Sequence, residues 1–416
     1  MATSAPEETP VPGNRLRGLR ALHHRDFRLL WAGQWARATG HWMQLVATPL
    51  LLISLGAGAL ELGIAYALQF GPLLLLAPFG GVLADRMDKR RWLMTLQAIT
   101  AVQAATFVLV IANGAVEVWH VFALAAVFGL LNASEMPTRV SLVAELVPEK
   151  DLSNAVGLML VAMNASRVIG PALAGLLAAA FGYAANFTWS LVSAVTAVML
   201  VGLIRRDLAH AAPVRREESM VASVLGAARH LASNPTLVTG LGVLAVFGLF
   251  GVSFQTIAPV YALDTLGVDE AGYGFFVAAM GIGALAAALP MTLIGTAQAT
   301  RLMFVAPVAF GILLAVLAAT RSPLVAYVAV IPLGFFFVLI NSTINVTVQG
   351  TIDHEFRGRT MGIYVSIMHG GGAIGAVIMG TLASILDAPT AMLVGAAGII
   401  GFTMLFRLTR GAASAA

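Results

Sequence analysis

Long apolar runs separated by short polar connections recur along the whole chain. They occupy 28–54, 60–84, 92–113, 118–144, 155–181, 184–204, 236–262, 271–294, 300–320, 323–349, 360–385 and 389–407. An α-helix needs about 20 mostly apolar residues to cross the hydrocarbon core of a bilayer. Each run is therefore expected to be one transmembrane helix, giving an all-α membrane protein with twelve spans. The one long connection, 205–235, lies between the sixth and seventh runs. Its first part, RRDLAHAAPVRREE, reads as loop. Its second part, SMVASVLGAARHLASNP, sets Val221, Val224, Leu225, Ala228 and Leu231 on one face. That pattern predicts a short amphipathic helix lying on the membrane surface. The expected organisation is a tail over 1–27, a six-helix bundle over 28–204, a linker over 205–235, a second bundle over 236–407 and a tail over 408–416.

Composition agrees with immersion in lipid. The 416 residues are 59% hydrophobic and 11% charged, where a soluble chain carries about a quarter charged. The net charge of +4 would suggest nucleic acid in a soluble protein. Here the basic residues sit in short loops and report orientation instead. With the N-terminus inside, every Lys and Arg but three falls on inner segments; the exceptions are Arg321 in an outer loop and Arg37 and Arg167 within spans. Both termini are thus expected in the cytoplasm and the span count is expected to be even. The chain has no cysteine, which excludes disulfides and thiolate metal sites.

The two halves resemble each other. VPEKDLSNAVGLMLVAMNASRVIGPALAGLLA (147–178) aligns with IDHEFRGRTMGIYVSIMHGGGAIGAVIMGTLA (352–383). Gly157, Met163, Ile169, Gly170, Gly175, Leu177 and Ala178 fall on Gly362, Met368, Ile374, Gly375, Gly380, Leu382 and Ala383. Six spans separate the fifth from the eleventh, so the copies run the same way through the membrane. This predicts two bundles related by a parallel pseudo-two-fold axis. Gly170, Pro171, Gly175, Gly375 and Gly380 are the expected helix-packing positions, because small residues let helices approach closely in lipid.

Charge is concentrated in GGVLADRMDKRR (80–91) between the second and third spans. With its Gly, apolar pair, Asp-Arg and basic cluster, this loop resembles the signature loop of the major facilitator superfamily. The matching residues are Gly81, Asp85, Arg86, Arg90 and Arg91, with Asp88 where the family usually has Gly. HRDFRLLWAGQWARATGHW (24–42), SRVIGPALAGLL (166–177) and FRGRTMGIY (356–364) resemble the siderophore- and macrolide-exporter branch. The resemblance implies a latch: Asp85 caps the N-terminus of the eleventh helix near Gly358–Thr360, tying the bundles together. The plainer reading of the loop is that its positive charge fixes topology.

Few polar groups lie inside the spans. A charged residue at the bilayer centre costs roughly 2.5–3.5 kcal/mol on insertion scales. Arg167 lies near mid-depth, either as a substrate or coupling group or as a structural helix–helix partner. Glu135 is the one carboxylate clearly within a span. It is the first candidate for proton coupling, or equally a satisfied partner of Arg139 one turn on or of Arg37. His41 lies one turn beyond Arg37 on the same face and completes the coupling candidates. Gln34, Asn164, Gln255, Asn341, Asn345 and His369 are candidate cavity residues, Asn164 and His369 at equivalent repeat positions. Such amides also serve as interhelical glue. No nucleotide-binding loop, metal cluster or nucleophile constellation occurs, so no cofactor, metal or enzymatic activity is expected.

These features predict a monomeric secondary transporter of the plasma membrane that alternates access to a central cavity. The resemblance implies proton-driven export of a hydrophobic or amphipathic small molecule such as a drug or siderophore. An importer or flippase of a metabolite or lysolipid is one alternative, and a non-transporting receptor or scaffold another.

Overall fold

The computed structural model describes residues 17–205, 226, 229–287, 290, 294–352 and 357–415. The side chains of 17, 75, 77–86, 357–359 and 409–415 lie outside that description, as does most of the amphipathic helix expected over 219–235. The described chain is helical throughout: α1 (Arg25–Ser54), α2 (Ala59–Arg86), α3 (Lys89–Ala112), α4 (Val118–Leu146), α5 (Glu149–Phe181) and α6 (Tyr183–Gly202). Then follow α7 (Pro235–Thr265), α8 (Glu270–Ala286), α9 (Thr296–Ala319), α10 (Pro323–Thr351), α11 (Arg357–Ile385) and α12 (Ala388–Ala415). Among the described residues, nine helices are long and apolar enough to cross a membrane, and α2 and α8 contribute the shorter apolar stretches Ala59–Leu74 and Glu270–Ala286. Helices are forced here because hydrocarbon offers no partner for an open backbone N–H or C=O.

Helix ends are set by local chemistry. Asp88 caps α3 by accepting from the Arg91 N–H at 3.0 Å, and Asp269 caps α8 by accepting from Gly272 at 2.8 Å. Asn234 accepts from Thr236 at 3.0 Å ahead of Pro235, the first residue of α7. Asp387 accepts from the Thr390 N–H at 2.6 Å, and this bond holds its carboxyl below the ordinary carboxylate range. Gly56 and Gly182 turn the chain with φ near +80° and +76°, a conformation that costs glycine least. α7 is the irregular span, with π-helical turns at Phe247–Val252 and Tyr261–Thr265.

The packing has a regular pattern. α1 packs on α5 and α6, α2 on α4, and α3 on α4 and α6. The same pairs recur six labels on: α7 on α11 and α12, α8 on α10, and α9 on α10 and α12. Two large contacts join the halves, α2 with α11 and α5 with α8, and shifting labels by six exchanges one for the other. Long apolar side chains such as Val102, Leu109, Phe181, Leu324 and Val328 remain exposed on the outside, as lipid-facing positions should.

Within the expected tail, Arg17–His23 forms a 3-10 turn that docks on α5. Asn154 accepts from the Ala21 N–H at 3.0 Å and donates to the Gly18 carbonyl at 2.8 Å, while His24 pairs with Asp151 at 3.0 Å.

The packing glycines divide into two equivalent sets. Gly170 backs on Trp42 of α1 and Gly375 on the Leu249 carbonyl of α7, both within their own halves. Gly175 and Gly380 instead form the contacts between halves. A Cβ on Gly175 would lie 2.5 Å from the Glu270 carbonyl and 2.9 Å from Gly274 Cα; on Gly380 it would lie 2.5 Å from the Ala59 carbonyl. These obstacles are backbone and cannot swing aside. Gly175→Ala is therefore expected to destabilise the protein by about 1–3 kcal/mol through overpacking. Gly157→Ala, on the same helix with nothing within 4 Å, is expected to be neutral or slightly stabilising. Thermal unfolding in detergent compares the two, and equal midpoints would refute the close crossing.

Candidate functional site

Two features stand out: a buried charge cluster within the first half and a cavity between the halves. The cluster follows from helical spacing. α1 sets Arg37 and His41 one turn apart, and α4 sets Glu135 and Arg139 one turn apart. Arg37 Nη2 donates to Glu135 Oε2 at 2.9 Å, and Arg139 Nη2 donates to Glu135 Oε1. All three side chains are buried. One carboxylate thus holds two guanidiniums and ties α1 to α4. Of the two partners weighed from the sequence, Glu135 takes both.

The surroundings extend the tie. With the Gln97 amide of α3 assigned the orientation that satisfies its neighbours, its oxygen accepts from Arg139 Nη2 at 3.1 Å and its nitrogen donates to the Ala197 carbonyl of α6 at 3.2 Å. The Arg37 guanidinium lies 5.7 Å over the Phe128 ring, and His41 stacks on the same ring at 5.2 Å. Among the described residues Arg37 Nε and Arg139 Nη1 have no hydrogen-bond partner. The cluster carries one excess positive charge and unspent donors.

The cavity holds roughly 740 Å³ of empty space, its open mouth included, and is walled by α1 and α2 from one half and α7 and α8 from the other. Trp42, Tyr66, Phe254, Tyr273 and Phe276 give it an aromatic lining, with Gln69 and Gln255 among its few polar groups. Three buried polar atoms of lining residues, Thr48 Oγ1, Gln69 Nε2 and Thr256 Oγ1, lack a hydrogen-bond partner among the described residues. Arg167 of α5 stands beside this space. Its guanidinium lies 5.1 Å over the Trp42 ring and 5.6 Å over the Phe337 ring.

The other sequence candidates scatter. Gln255 lines the cavity and His369 stacks on Phe70 of the other half at 5.9 Å. Asn164, Asn341 and Asn345 bond along their own helices, to Leu160, Phe337 and Gln349 respectively. Gln34 is buried on α1. The Gly81, Asp85 and Arg86 side chains of the expected latch lie outside the described residues. Arg90 is described and stays within its half, donating to the Val201 and Gly202 carbonyls at the end of α6. Arg91 pairs with Asp88 at 3.2 Å. The sequence reading did not single out the aromatic lining. An aromatic side chain in a greasy run carries no mark of whether it faces lipid, core or cavity.

A family model described as transmembrane secretion effector matches residues 17–414. The chain belongs to this family of the major facilitator superfamily. It is 26% identical to the multidrug efflux pump Tap of Mycolicibacterium fortuitum, over 83% of this chain and 86% of that one. It is 22% identical to the enterobactin exporter EntS of Salmonella typhimurium, over 93% of each. Its fold matches the crystal structure of the nucleoside transporter NupG with a TM-score of 0.75 at 12% identity, covering 92% of this chain and 98% of that one. The superfamily member described here is thus a multi-span helical transporter of small molecules with efflux-type relatives, and not an enzyme.

The cluster makes an asymmetric forecast. Breaking a buried ion pair by removing one partner costs about 3–5 kcal/mol, because it strands the other charge. Glu135→Gln strands two arginines, whereas Arg37→Gln leaves Glu135 with Arg139. Glu135→Gln is expected to lower the unfolding midpoint more than Arg37→Gln, and adding Arg37→Gln to it to recover part of the loss. Strictly additive losses would show that the pair is not coupled.

Proposed function

We propose that this transporter is a proton-coupled exporter of hydrophobic or amphipathic small molecules, working by alternating access. Its twelve helices all span the membrane, as two six-helix bundles related by a pseudo-two-fold axis along the normal. The face carrying the α2–α3 and α4–α5 connections is cytoplasmic, with both termini, because the basic residues gather there. The observation that carries the reading is the aromatic cavity between the halves, walled in part by α1, the helix that also carries Arg37, the partner of Glu135. A cavity with few polar groups suits a lipophilic cargo; a sugar would require many more hydrogen-bond partners.

The cycle follows from the contacts. The glycine crossings of α5 with α8 and of α2 with α11 lie toward the face opposite the basic loops, and they close the cavity there. Rocking the halves apart opens those crossings. On the cytoplasmic face Asp85, at the end of α2, latches onto the N-terminus of α11 in the opposite state. Proton arrival neutralises Glu135 and frees Arg37, which loosens α1 from α4. α1 also walls the cavity, so the proton reaches the cargo site through one helix.

Inverted membrane vesicles acidified inside test this with a panel of amphipathic dyes. At least one dye is expected to accumulate and to leak back when an ionophore collapses the pH gradient. Asp85→Asn is expected to abolish accumulation with the protein still present in the membrane. The Arg37→Gln, Glu135→Gln double variant is expected to move dye down its own gradient without response to pH. Uptake indifferent to the ionophore in the wild type would overturn proton coupling.

A further inference from the structure

The charges inside the molecule do not balance. The Asp and Glu residues of the second half outside 353–356 are Asp264, Asp269, Glu270 and Asp387, all at helix ends on the face opposite the basic loops. In the first half every acid but Glu135 is likewise near a helix end. Glu135 is consumed by Arg37 and Arg139. Among the described residues, Arg167 therefore has no carboxylate within reach, and no carbonyl or hydroxyl accepts from it. The ionisable groups on neighbouring elements are Arg37 and His41 of α1, Tyr66 of α2, Glu135 and Arg139 of α4 and His369 of α11; none supplies a free negative charge.

A half-buried guanidinium left in this state is expensive. Its stacking on Trp42 and Phe337 offsets part of that cost, about 0.5–2 kcal/mol for each ring. The rings cover its faces and leave the in-plane N–H donors unspent. Trp42 is held there by Gly170, three residues after Arg167, whose missing Cβ would lie 2.6 Å from Trp42 Cβ. Trp42 also lines the cavity. The guanidinium edge and the aromatic wall thus belong to one site.

We infer that the cargo is an amphipathic organic anion, with an aromatic or alkyl body between Trp42, Tyr66, Phe254 and Phe276 and an anionic group on the edge of Arg167. Carboxylate, sulfonate and phosphate all match the planar donor fork. The inference rests on the exporter reading of the same cavity and sharpens it. An organic cation would meet three arginines against one carboxylate and is disfavoured.

Three ligands of one shape and different charge test it: 2-naphthoate, 2-naphthamide and 2-naphthylmethylammonium, titrated against the purified protein in nanodiscs. The acid is expected to bind at least about tenfold more tightly than the amine, one charge-assisted contact's worth. Arg167→Gln is expected to erase that preference, and Arg167→Lys, which keeps the charge without the fork, to retain part of it. Equal or tighter binding of the amine overturns the anion assignment and leaves the exporter reading standing. So does an acid preference that survives Arg167→Gln. Failure of all three to bind overturns the cavity as the cargo site, and the exporter reading with it.

Discussion

The cost of placing charge in hydrocarbon governs this molecule. It removes ionisable residues from the spans, leaving Arg37, Glu135, Arg139 and Arg167 as the charged side chains near mid-depth. Each that remains must be paired or covered. Glu135 satisfies two of the arginines and so cross-links α1 with α4, while Gln97 carries the tie to α3 and α6. Four of the six helices of the first half thus meet around one carboxylate. An apolar core of the same helices would pack, yet it would carry nothing that a proton could switch.

The same cost explains how the halves meet. With charges scarce, the α5–α8 and α2–α11 crossings hold by close approach of backbones, made possible by Gly175, Gly274, Gly63 and Gly380. Dispersion contacts of this kind are short-ranged. They are lost over a small separation and recovered without breaking an ion pair. The ionic ties of the first half, Lys89 with Glu145 and Arg37 with Glu135, stay within one bundle. The described ion pairs thus stiffen one half, and the rocking proposed above would act on the glycine surfaces.

Much of this was legible in the sequence. The helices follow from run length, because lipid leaves the backbone no other choice. Gly170, Gly175, Gly375 and Gly380 stood out through the repeat, and in the structure a Cβ at each would meet a neighbouring helix within 2.6 Å. Glu135 stood out because an acid in a greasy run has to be satisfied, and i,i+4 spacing named Arg139 as a partner. Its second bond, to Arg37, depends on how α1 and α4 pack and has no local signature. Nor does the aromatic lining, since Trp42, Tyr66, Phe254 and Phe276 read as ordinary apolar residues until the helices are assembled. Asn164, Asn341 and Asn345 were marked by polarity alone, and polarity can be spent within one helix: Asn164 and Asn341 donate to the carbonyl one turn back, and Asn345 accepts from Gln349 one turn on.

The two halves pack alike and differ in chemistry. Equivalent glycines make equivalent contacts, and the helix pairs repeat, but the first half alone carries charge near mid-depth. α7 and α8 present Phe254, Gln255, Tyr273 and Phe276 to the cavity, and no ionisable carboxyl or amine. The cavity takes walls from both halves, α1 and α2 from one and α7 and α8 from the other. The charged side chains near mid-depth within the described spans are confined to the first half, while α7 and α8 face the cavity with aromatic and amide groups. Under the proposed coupling, protonation of Glu135 changes contacts inside the first half and leaves the second as it is.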